Sequence, residues 1–374
     1  MLLNYRLFVV LLSLPMFALT ATESKRSNWS RWRNPPEKPV AEEEKIASHS
    51  EITPPVAPQI VDGSDTFITA DFIWWKTYID GMEFAYTGVN DKGFAVPAGA
   101  STKKGSTQNP GFGFKPGLKV GLGWHFDHDG WDMVADWTYL YGNYRENKTE
   151  VTADSGRGLT SVQSIVLSNG TIETVDLSSA ASKWKQDFNV VDLELGRDFF
   201  LSRALTMRPH IGFKTAWIHE TTKNTLTPIP DTLDGANAIS SITLKNTEHM
   251  WGIGIRTGFD TGWHITKNWM FYGDLAFTNL WGKFKTSARE INTEAVVGSI
   301  TTLNVVENCS KVIPVIEAGV GLSYINWFSD NSYRFELRLG WEEQVWLNYN
   351  RSQDFIRIGD LTVQGLTVKT MLNF

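Results

Sequence analysis

Ten charged side chains recur at alternate positions along the second half of the chain, and their spacing predicts one shared charged surface. They are Asp192, Glu194, Arg208, Lys214, Arg256, Glu317, Arg334, Glu336, Arg338 and Glu342. Within their segments they alternate with largely apolar residues, so in a β-strand they would all point to the same face. Rows of charge that face water can select ions and small solutes by sign. We therefore expect these ten residues to line the interior of a pore.

The residues alone leave two alternatives to an open pore. Arg334, Glu336 and Arg338 are close enough along one segment to pair with charged neighbours instead of lining a path. A barrel of about ten strands also has a narrow interior that side chains can fill. A plugged structural barrel without channel activity, or a surface adhesin that uses only its long loops, therefore stays beside the porin.

An enzyme is a further class to weigh, because His, Asp and Glu side chains cluster at two places. One cluster is a predicted turn with His125, Asp127, His128 and Asp129; the other is the pair of segments His219-Glu220 and Glu248-His249. The turn lies at the end opposite to a surface hydrolase site. The two His and two Glu can bind a metal or share a proton if they meet. No Gly-x-Ser-x-Gly, His-Glu-x-x-His or phosphate-binding loop occurs, so we expect no enzyme, no cofactor and no metal.

From residue 66 onward apolar and polar residues alternate with a period of two, which predicts β-strands. Residues 118–126 and 131–141 alternate in this way, and the Asp127-His128-Asp129-Gly130 segment between them predicts a tight turn. Short connections are also expected at 198–204, 260–268 and 326–332. Long ones are expected at 80–113, 145–186, 220–247, 285–310 and 347–360. Short periplasmic turns and long outer loops are typical of outer-membrane barrels, whereas a soluble sandwich has no reason to alternate them.

The pattern therefore predicts an all-β, antiparallel transmembrane barrel of about ten strands. The expected strands are 66–78, 114–126, 131–144, 187–198, 204–219, 248–259, 268–283, 311–325, 332–346 and 361–374. Strand-like pieces near Asn169-Gly170 and 290–306 leave twelve or fourteen strands open. An even number places both ends of the barrel on the periplasmic side.

Aromatic residues near the strand ends predict two girdles at the membrane surfaces. The expected periplasmic girdle is Trp124, Trp263, Trp269, Trp327 and Tyr333, and the outer one is Tyr139, Trp217, Trp251 and Trp281. Trp346 is left out because its parity is opposite to that of Trp341.

The first 65 residues have a different character. Arg6, the apolar run 7–19 and small residues after it predict a secretory signal peptide over residues 1–21, cleaved near residues 18–22. Residues 22–65 contain six prolines and Glu42-Glu43-Glu44, which predict a disordered periplasmic tail before a barrel over 66–374.

Composition excludes other classes. A net charge of −6 does not indicate the excess of positive charge that nucleic-acid-binding proteins carry. Cys309 is the single cysteine, so it cannot form an internal disulfide or a zinc cluster. No apolar stretch of ~20 residues follows the signal, so a helical membrane protein is excluded.

The expected partners are outer-membrane lipid and the barrel assembly machinery. The machinery would recognise Phe374 at the end of an alternating strand. A homo-oligomer stays open.

Two stretches resemble a known family. Gly117–Phe126 (GLKVGLGWHF) and His128–Leu140 (HDGWDMVADWTYL) are similar to the first hairpin of the Legionella-type major outer membrane protein family, which includes chlamydia-like porins. The last ten residues, Gly365–Phe374 (GLTVKTMLNF), are similar to the C-terminal assembly signal of outer-membrane barrels. The resemblance implies an abundant outer-membrane porin or adhesin over residues 66–374. The lone Cys309 departs from the cysteine-rich chlamydial type.

Overall fold

The computed structural model describes residues 65–87, 106–126, 130–149, 159–166, 172–229, 239–294, 297–329, 331–351 and 358–374. The sixteen strands in these ranges are β1 (Thr66–Ile79), β2 (Ala85–Thr87), β3 (Ser106–Gln108), β4 (Phe114–His125), β5 (Trp131–Thr149), β6 (Leu159–Ser161), β7 (Ile165–Val166), β8 (Ile172–Glu173), β9 (Asp176–Arg197), β10 (Phe199–Phe200), β11 (Leu205–Pro228), β12 (Ile239–His264), β13 (Trp269–Glu294), β14 (Gly298–Phe328), β15 (Tyr333–Arg351) and β16 (Ile358–Asn373). No described segment is a helix long and apolar enough to cross a membrane. The expected signal peptide and nearly all of the tail lie outside the described residues.

Ten of these strands close into one antiparallel barrel, which confirms the predicted fold class and the central strand number. Their order around the barrel is β1, β4, β5, β9, β11, β12, β13, β14, β15 and β16. β16 returns to β1 with Phe67 opposite Asn373, and the Phe374 amide donates to the Thr66 carbonyl at 2.9 Å. Closure leaves no unpaired edge, which a sheet in lipid requires. We call the end of the barrel that carries Thr66 and Phe374 the terminal end, and the other the loop end.

The outward face carries the apolar residues that the alternation predicted. Ile68, Phe72 and Trp74 on β1 are exposed, whereas Ile73 and Trp75 between and beside them are fully buried. Exposed apolar surface that continues around a whole barrel is stable only against lipid. Most expected girdle residues lie on this face, including Trp124, Trp217, Trp251, Trp263, Trp269, Trp281 and Tyr333.

One girdle assignment was wrong. Trp327 lies inside the barrel at the terminal end, where it packs against the buried cluster of Met270, Tyr272 and Ile325. The Arg334 guanidinium lies 5.9 Å from its ring centroid. The neighbouring Phe328 takes the outward position instead and stacks on Tyr333. At this end of β14 the outward-facing residue is therefore Phe328, which directly follows the predicted Trp327.

Several segments expected to be loops are continuous strand. β11 and β12 remain paired from Leu226 opposite Ile242 to Leu205 opposite Trp263, and β13 pairs with β14 as far as Glu294 opposite Gly298. These extensions correct the loops expected at 220–247 and 285–310. The inward residues of these extensions are ordered because they pack together in a second hydrophobic core, which we call the outer core. It consists of Phe84, Ala85, Leu159, Ile165, Val175, Leu177, Ala180, Leu226, Ile239, Ile242 and Leu244.

The pieces that left extra strands open do not add to the barrel. Residues 290–294 belong to β13 and residues 298–306 to β14, which pair with each other, and β7 pairs with β8 in a separate two-stranded sheet. Asn169-Gly170 lie outside the described residues. The expected turn at 260–268 is shorter than predicted, since β12 runs to His264. Within that expected turn, the Asp260 carboxylate instead accepts a hydrogen bond from Arg208 inside the barrel.

Candidate functional site: the barrel interior

The interior of the barrel has layers of different chemistry along its axis. Nearest the terminal end is a polar cavity of ≈440 Å³, lined by charged side chains from almost every barrel strand. Nine of the ten residues expected to line a pore lie on the wall of this cavity. They are Asp192, Glu194, Arg208, Arg256, Glu317, Arg334, Glu336, Arg338 and Glu342. The tenth, Lys214, also points inward and is fully buried beside them.

Arg208 on β11 is held by three carboxylates from different strands. Its Nε and Nη2 lie 2.8 and 2.5 Å from the two oxygens of Asp132 on β5. Its Nη1 lies 2.8 Å from Asp260 on β12 and 3.2 Å from Glu194 on β9. The bidentate arrangement fixes the guanidinium plane, because both of its donor edges are engaged. Arg208 therefore ties one wall of the barrel together across β5, β9, β11 and β12.

Arg256 and Lys214 continue this network toward the loop end. The Arg256 guanidinium donates to Glu194, and its Nη2 lies 3.0 Å from Glu317 on β14. The Lys214 ammonium lies 2.7 Å from Asp192 and 2.9 Å from Glu317. Each of these charges has an opposite partner at contact distance, as buried charges in folded proteins normally do. The residues are thus brought together in pairs, not arranged as free charges along a path.

The opposite wall carries a second set of ion pairs. Glu336 on β15 accepts bonds from Arg334 at 2.6 Å, from Arg338 at 2.5 Å and from the Ser323 hydroxyl at 2.7 Å. Lys119 on β4 pairs with Glu342 on β15 across three strand positions of the barrel wall. The pairing alternative weighed for Arg334, Glu336 and Arg338 is what the structure adopts.

Beyond the cavity the interior is closed by a hydrophobic plug. It is built from inward side chains of nine barrel strands: Ile73, Trp75, Ile79, Leu140, Tyr144, Trp184, Phe188, Val190, Ala216, Ile218, Met250, Leu280, Phe284, Ile313, Val315, Trp346, Tyr349, Leu361 and Val363. The rings of Phe188 on β9 and Trp346 on β15 meet with their centroids 5.7 Å apart. These strands are five positions apart in either direction around the ten-stranded barrel, so the contact spans the full width of the interior.

The plug explains why the side chain of Trp346 faces inward. This orientation is why Trp346 was not placed in the predicted girdle. Trp346 is fully buried, whereas Trp341 on the same strand is 43% exposed on the outward face. Trp75, also fully buried in the plug, donates its indole N–H to the Thr367 hydroxyl at 3.1 Å. Large aromatic side chains of this kind fill a narrow barrel efficiently.

On the loop side of the plug, two glutamates face each other inside the barrel. Glu220 on β11 is opposite Glu248 on β12, and each is 7% exposed. The Gln186 amide donates to Glu220 at 2.9 Å, and the Thr286 hydroxyl lies 3.4 Å from Glu248. Both lie beyond the outer girdle residues Trp217 and Trp251. Burial raises the pKa of Glu248 to about 7, and burial together with the Glu248 charge raises the pKa of Glu220 well above its ordinary value.

The rim site considered for a metal or a shared proton does not assemble. His219 and His249 do pair across β11 and β12, with ring centroids 4.4 Å apart, but both point outward. Glu220 and Glu248 point into the barrel. Successive residues of a strand face opposite sides of the sheet, so adjacent His and Glu cannot share one ligand site. The four side chains therefore do not form one site. Of the turn cluster, His125 lies beside Asn373 at the terminal end, and the other three residues lie outside the described ranges.

Among the described residues, one group has ligand atoms close enough for a metal ion. Glu194, His210 and Asp260 place one ligand atom each within 4.8 Å of one another. The two carboxylates already accept bonds from Arg208 and Arg256, whose positive charges stand where a cation would bind. The group is explained as part of the ion-pair network.

Sequence reasoning missed the partners that complete this network. Lys119, Asp132 and Asp260 all engage residues that were identified. The first two stood in the first hairpin, which was used for its family resemblance and not for its inward charges. The inward parity of Lys119 and Asp132 was visible in the alternation and could have identified them. The pairing itself depends on which strands become neighbours through barrel closure.

The chain was compared with known families and structures. The family described as the Legionella pneumophila major outer membrane protein precursor matches residues 62–374. No curated protein matches the chain. Similar solved structures include the outer membrane protease OmpT of Escherichia coli, which is 10% identical, with 87% of this chain and 100% of that one covered and a TM-score of 0.40. A FadL homologue of Pseudomonas aeruginosa is 8% identical, with 83% and 89% covered and a TM-score of 0.23. At these scores neither structure bears on function.

Proposed function

Because the chain belongs to the Legionella major outer membrane protein family and is a barrel of the bacterial outer membrane, we propose that it is a porin-like protein whose conduction path is closed by the hydrophobic plug. The path would begin at the periplasmic end, in the polar cavity of ≈440 Å³. Ions and small solutes would enter there and pass to the surface when the plug side chains move. Hydrophobic constrictions are a known way to gate a channel, since water leaves a narrow apolar passage.

The observation that carries the proposal is the position of charge relative to the plug. An interior that only had to be filled would need no charged cavity, because replacing buried ion pairs with apolar side chains is often neutral or stabilising. Here the charges line a cavity of ≈440 Å³ at one end, and the plug that follows consists of side chains from the barrel wall. Side chains can change rotamer without unfolding the barrel. The nine charged residues on the cavity wall, although they are paired with one another, would then set the ion preference of the path.

A plugged barrel without channel activity is the second candidate. It is favoured by the contact between Phe188 and Trp346, which spans the barrel with ring centroids 5.7 Å apart. A barrel of this kind would serve the envelope as a structural or adhesive surface protein. We propose no enzymatic role, because the acidic and basic groups of the cavity are engaged with one another.

Single-channel recording in planar bilayers separates the two candidates. The folded wild type should show rare, brief openings. Trp346→Ala should open far more often, because it removes the indole that meets Phe188 across the interior. Trp341→Ala is the matched control, since Trp341 lies on the same strand but faces outward.

Each outcome decides between the candidates. Conductance in Trp346→Ala and in Trp346→Ala with Phe188→Ala, but hardly in Trp341→Ala, supports the gated path. Silence in every folded variant establishes the plugged barrel. A large steady conductance in the wild type that none of the substitutions alters contradicts the plug as the closing element. Charge reversal at Arg256 or Arg338 should then shift ion selectivity in the conducting variant.

A further inference from the structure

Five cations stand side by side on the outside of the barrel, beyond the outer girdle. Arg145 on β5 is opposite Lys183 on β9, Lys183 is opposite Lys223 on β11, Lys223 is opposite Lys245 on β12, and Lys245 is opposite Arg289 on β13. The five strands are consecutive around the barrel, so the residues form one unbroken row that we call the cation row. Neighbouring strands are ~4.8 Å apart, which places like charges in direct succession.

The cation row faces outward, and the described part of the protein does not neutralise it. Four of its members are exposed and Lys183 is half-buried. Among the described residues none of the five forms an ion pair, and Arg289 only donates to the Thr301 hydroxyl at 3.3 Å. Arg145, Lys185 and Lys223 lower the pKa of Lys183 by repulsion. Like charges directly opposite each other destabilise a sheet, so an external anion would relieve the strain.

The residues around the row are suited to a sugar or phosphate. Two positions nearer the girdle on the same face stand Asn143, Lys185, Thr221, Thr247 and Ser287. They contribute one further cation, three hydroxyls and an amide, and no carboxylate. These groups donate and accept hydrogen bonds with phosphate oxygens and sugar hydroxyls.

A groove of ≈460 Å³ lies between the row and the membrane on the same face. Its wall includes Trp217, Trp251, His219, His249, Lys283 and Lys285. The two tryptophans belong to the outer girdle, so this groove lies at the membrane surface. Lys283 is opposite Trp251, and Lys285 lies two residues farther from the membrane, opposite His249. The groove thus combines apolar rings with basic groups, which fits the junction between an acyl chain and an anionic headgroup.

The height of the cation row decides which lipid can reach it. Lys223 and Lys245 each lie six residues beyond Trp217 and Trp251, or ~15 Å above the girdle at ~3.3 Å per residue and a tilt of ~40°. The headgroup layer of an ordinary phospholipid is only ~5–8 Å thick on each side of a bilayer. A phospholipid in the groove would leave the row untouched. A lipid with phosphates both at the membrane and along an oligosaccharide would reach both.

We infer that the cation row and the groove below it form a binding site for the phosphorylated glycolipid of the outer leaflet, lipopolysaccharide. Its phosphorylated base would lie in the groove against Lys283 and Lys285. Its charged inner oligosaccharide would extend along Arg145, Lys183, Lys223, Lys245 and Arg289. This inference concerns the outward surface and does not depend on whether the interior conducts.

The test is the affinity of detergent-solubilised, folded protein for purified lipopolysaccharide, compared with its affinity for phosphatidylglycerol micelles. The variant carries Arg145→Gln, Lys183→Gln, Lys223→Gln, Lys245→Gln and Arg289→Gln. Each basic residue near an anionic surface contributes on the order of a fivefold change, so the variant should lose about 100-fold or more for lipopolysaccharide. Its affinity for phosphatidylglycerol should change far less. If the full variant does not fold, two double variants replace it: Lys183→Gln/Lys245→Gln and Arg145→Gln/Arg289→Gln. The affinity of each for lipopolysaccharide should fall about tenfold or more.

The matched control is Arg203→Gln with Lys267→Gln, which removes two exposed cations from the periplasmic turns. It should leave the affinity for lipopolysaccharide unchanged. Retained affinity in the row variants overturns the inference. An equal loss for phosphatidylglycerol shows a general anionic attraction instead of a glycolipid site and also overturns it. So does displacement of lipopolysaccharide by millimolar inorganic phosphate, which would indicate a simple anion site.

Discussion

Replacing one of the two facing glutamates above the plug should make the barrel more stable at neutral and alkaline pH. Glu248 is 7% exposed and lies opposite Glu220, with no cation paired to either carboxylate among the described residues. Glu248→Gln keeps the size of the side chain and removes its charge. The effect should therefore be absent where both proteins carry a neutral group and should grow where the wild type has to ionise.

The sign and size follow from the pKa of Glu248. Burial raises this pKa from 4.5 to about 7, so between these values the folded protein holds a proton that the unfolded chain has released. Stability of the wild type is then fully present below pH ~4.5 and is lost as the pH rises through about 7. The interval corresponds to about 3 kcal/mol at ~1.4 kcal/mol per pKa unit. Glu248→Gln should be more stable than the wild type by up to this amount at pH 8 and by little at pH 4.

Urea unfolding in lipid vesicles measures this difference through tryptophan fluorescence, which the 16 tryptophans make strong. The free energy of unfolding is determined for both proteins at pH 4, 6 and 8. Asp80→Asn on the exposed turn after β1 is the matched control and should shift stability by less than about 0.5 kcal/mol at any of these values. A wild type whose stability does not fall between pH 4 and 8 relative to Glu248→Gln would refute the reasoning.

Three further changes test other parts of the structure. Arg208→Gln should destabilise the barrel by about 3–5 kcal/mol in the same assay, because it leaves the buried Asp132 carboxylate without its cation, whereas Lys267→Gln on an exposed turn should have little effect. Gly212→Ala should lower the yield of folded, heat-modifiable protein, since a Cβ at this position would lie 1.8 Å from the Leu193 carbonyl oxygen; a normal yield would show that β9 and β11 can separate there. Deleting Phe374 should leave unfolded protein in the periplasm, and normal surface levels would count against its role as an assembly signal.

The strand pattern was readable from the sequence because lipid imposes it residue by residue. An outward side chain meets hydrocarbon and an inward one does not, so alternation in residues such as Leu366, Val368 and Phe374 directly records orientation. The same parity located the inward charges. It also placed Trp341 and Trp346 on opposite faces of the strand, although the reason for the inward position of Trp346 was not visible in the sequence.

What the sequence did not reveal depends on contacts between distant strands. The meeting of Phe188 and Trp346 follows only once ten strands close and place β9 across from β15. The strand extensions were read as loops because their residues are polar on the outside, where they stand in water beyond the membrane. Their inward Leu226, Ile242 and Leu244 belong to the outer core, and the other side chains of this core come from other segments of the chain. The expected turn at 260–268 also began too early, and the contact of Asp260 with Arg208 was not visible because Arg208 lies on another strand.

The central claim, that the plug separates the periplasmic cavity from the outer surface, is tested most directly by thiol labelling from each side. In a Cys309→Ser background, Ala276→Cys places a thiol on the wall of the cavity below the plug. The protein is inserted into vesicles in one orientation, and a charged, membrane-impermeant thiol reagent is presented either at the periplasmic end or at the outer end. Labelling should be rapid from the periplasmic end and very slow from the outer end, and it should become rapid from both ends once Trp346→Ala is added. Equally rapid labelling from both ends in the presence of Trp346 would contradict it.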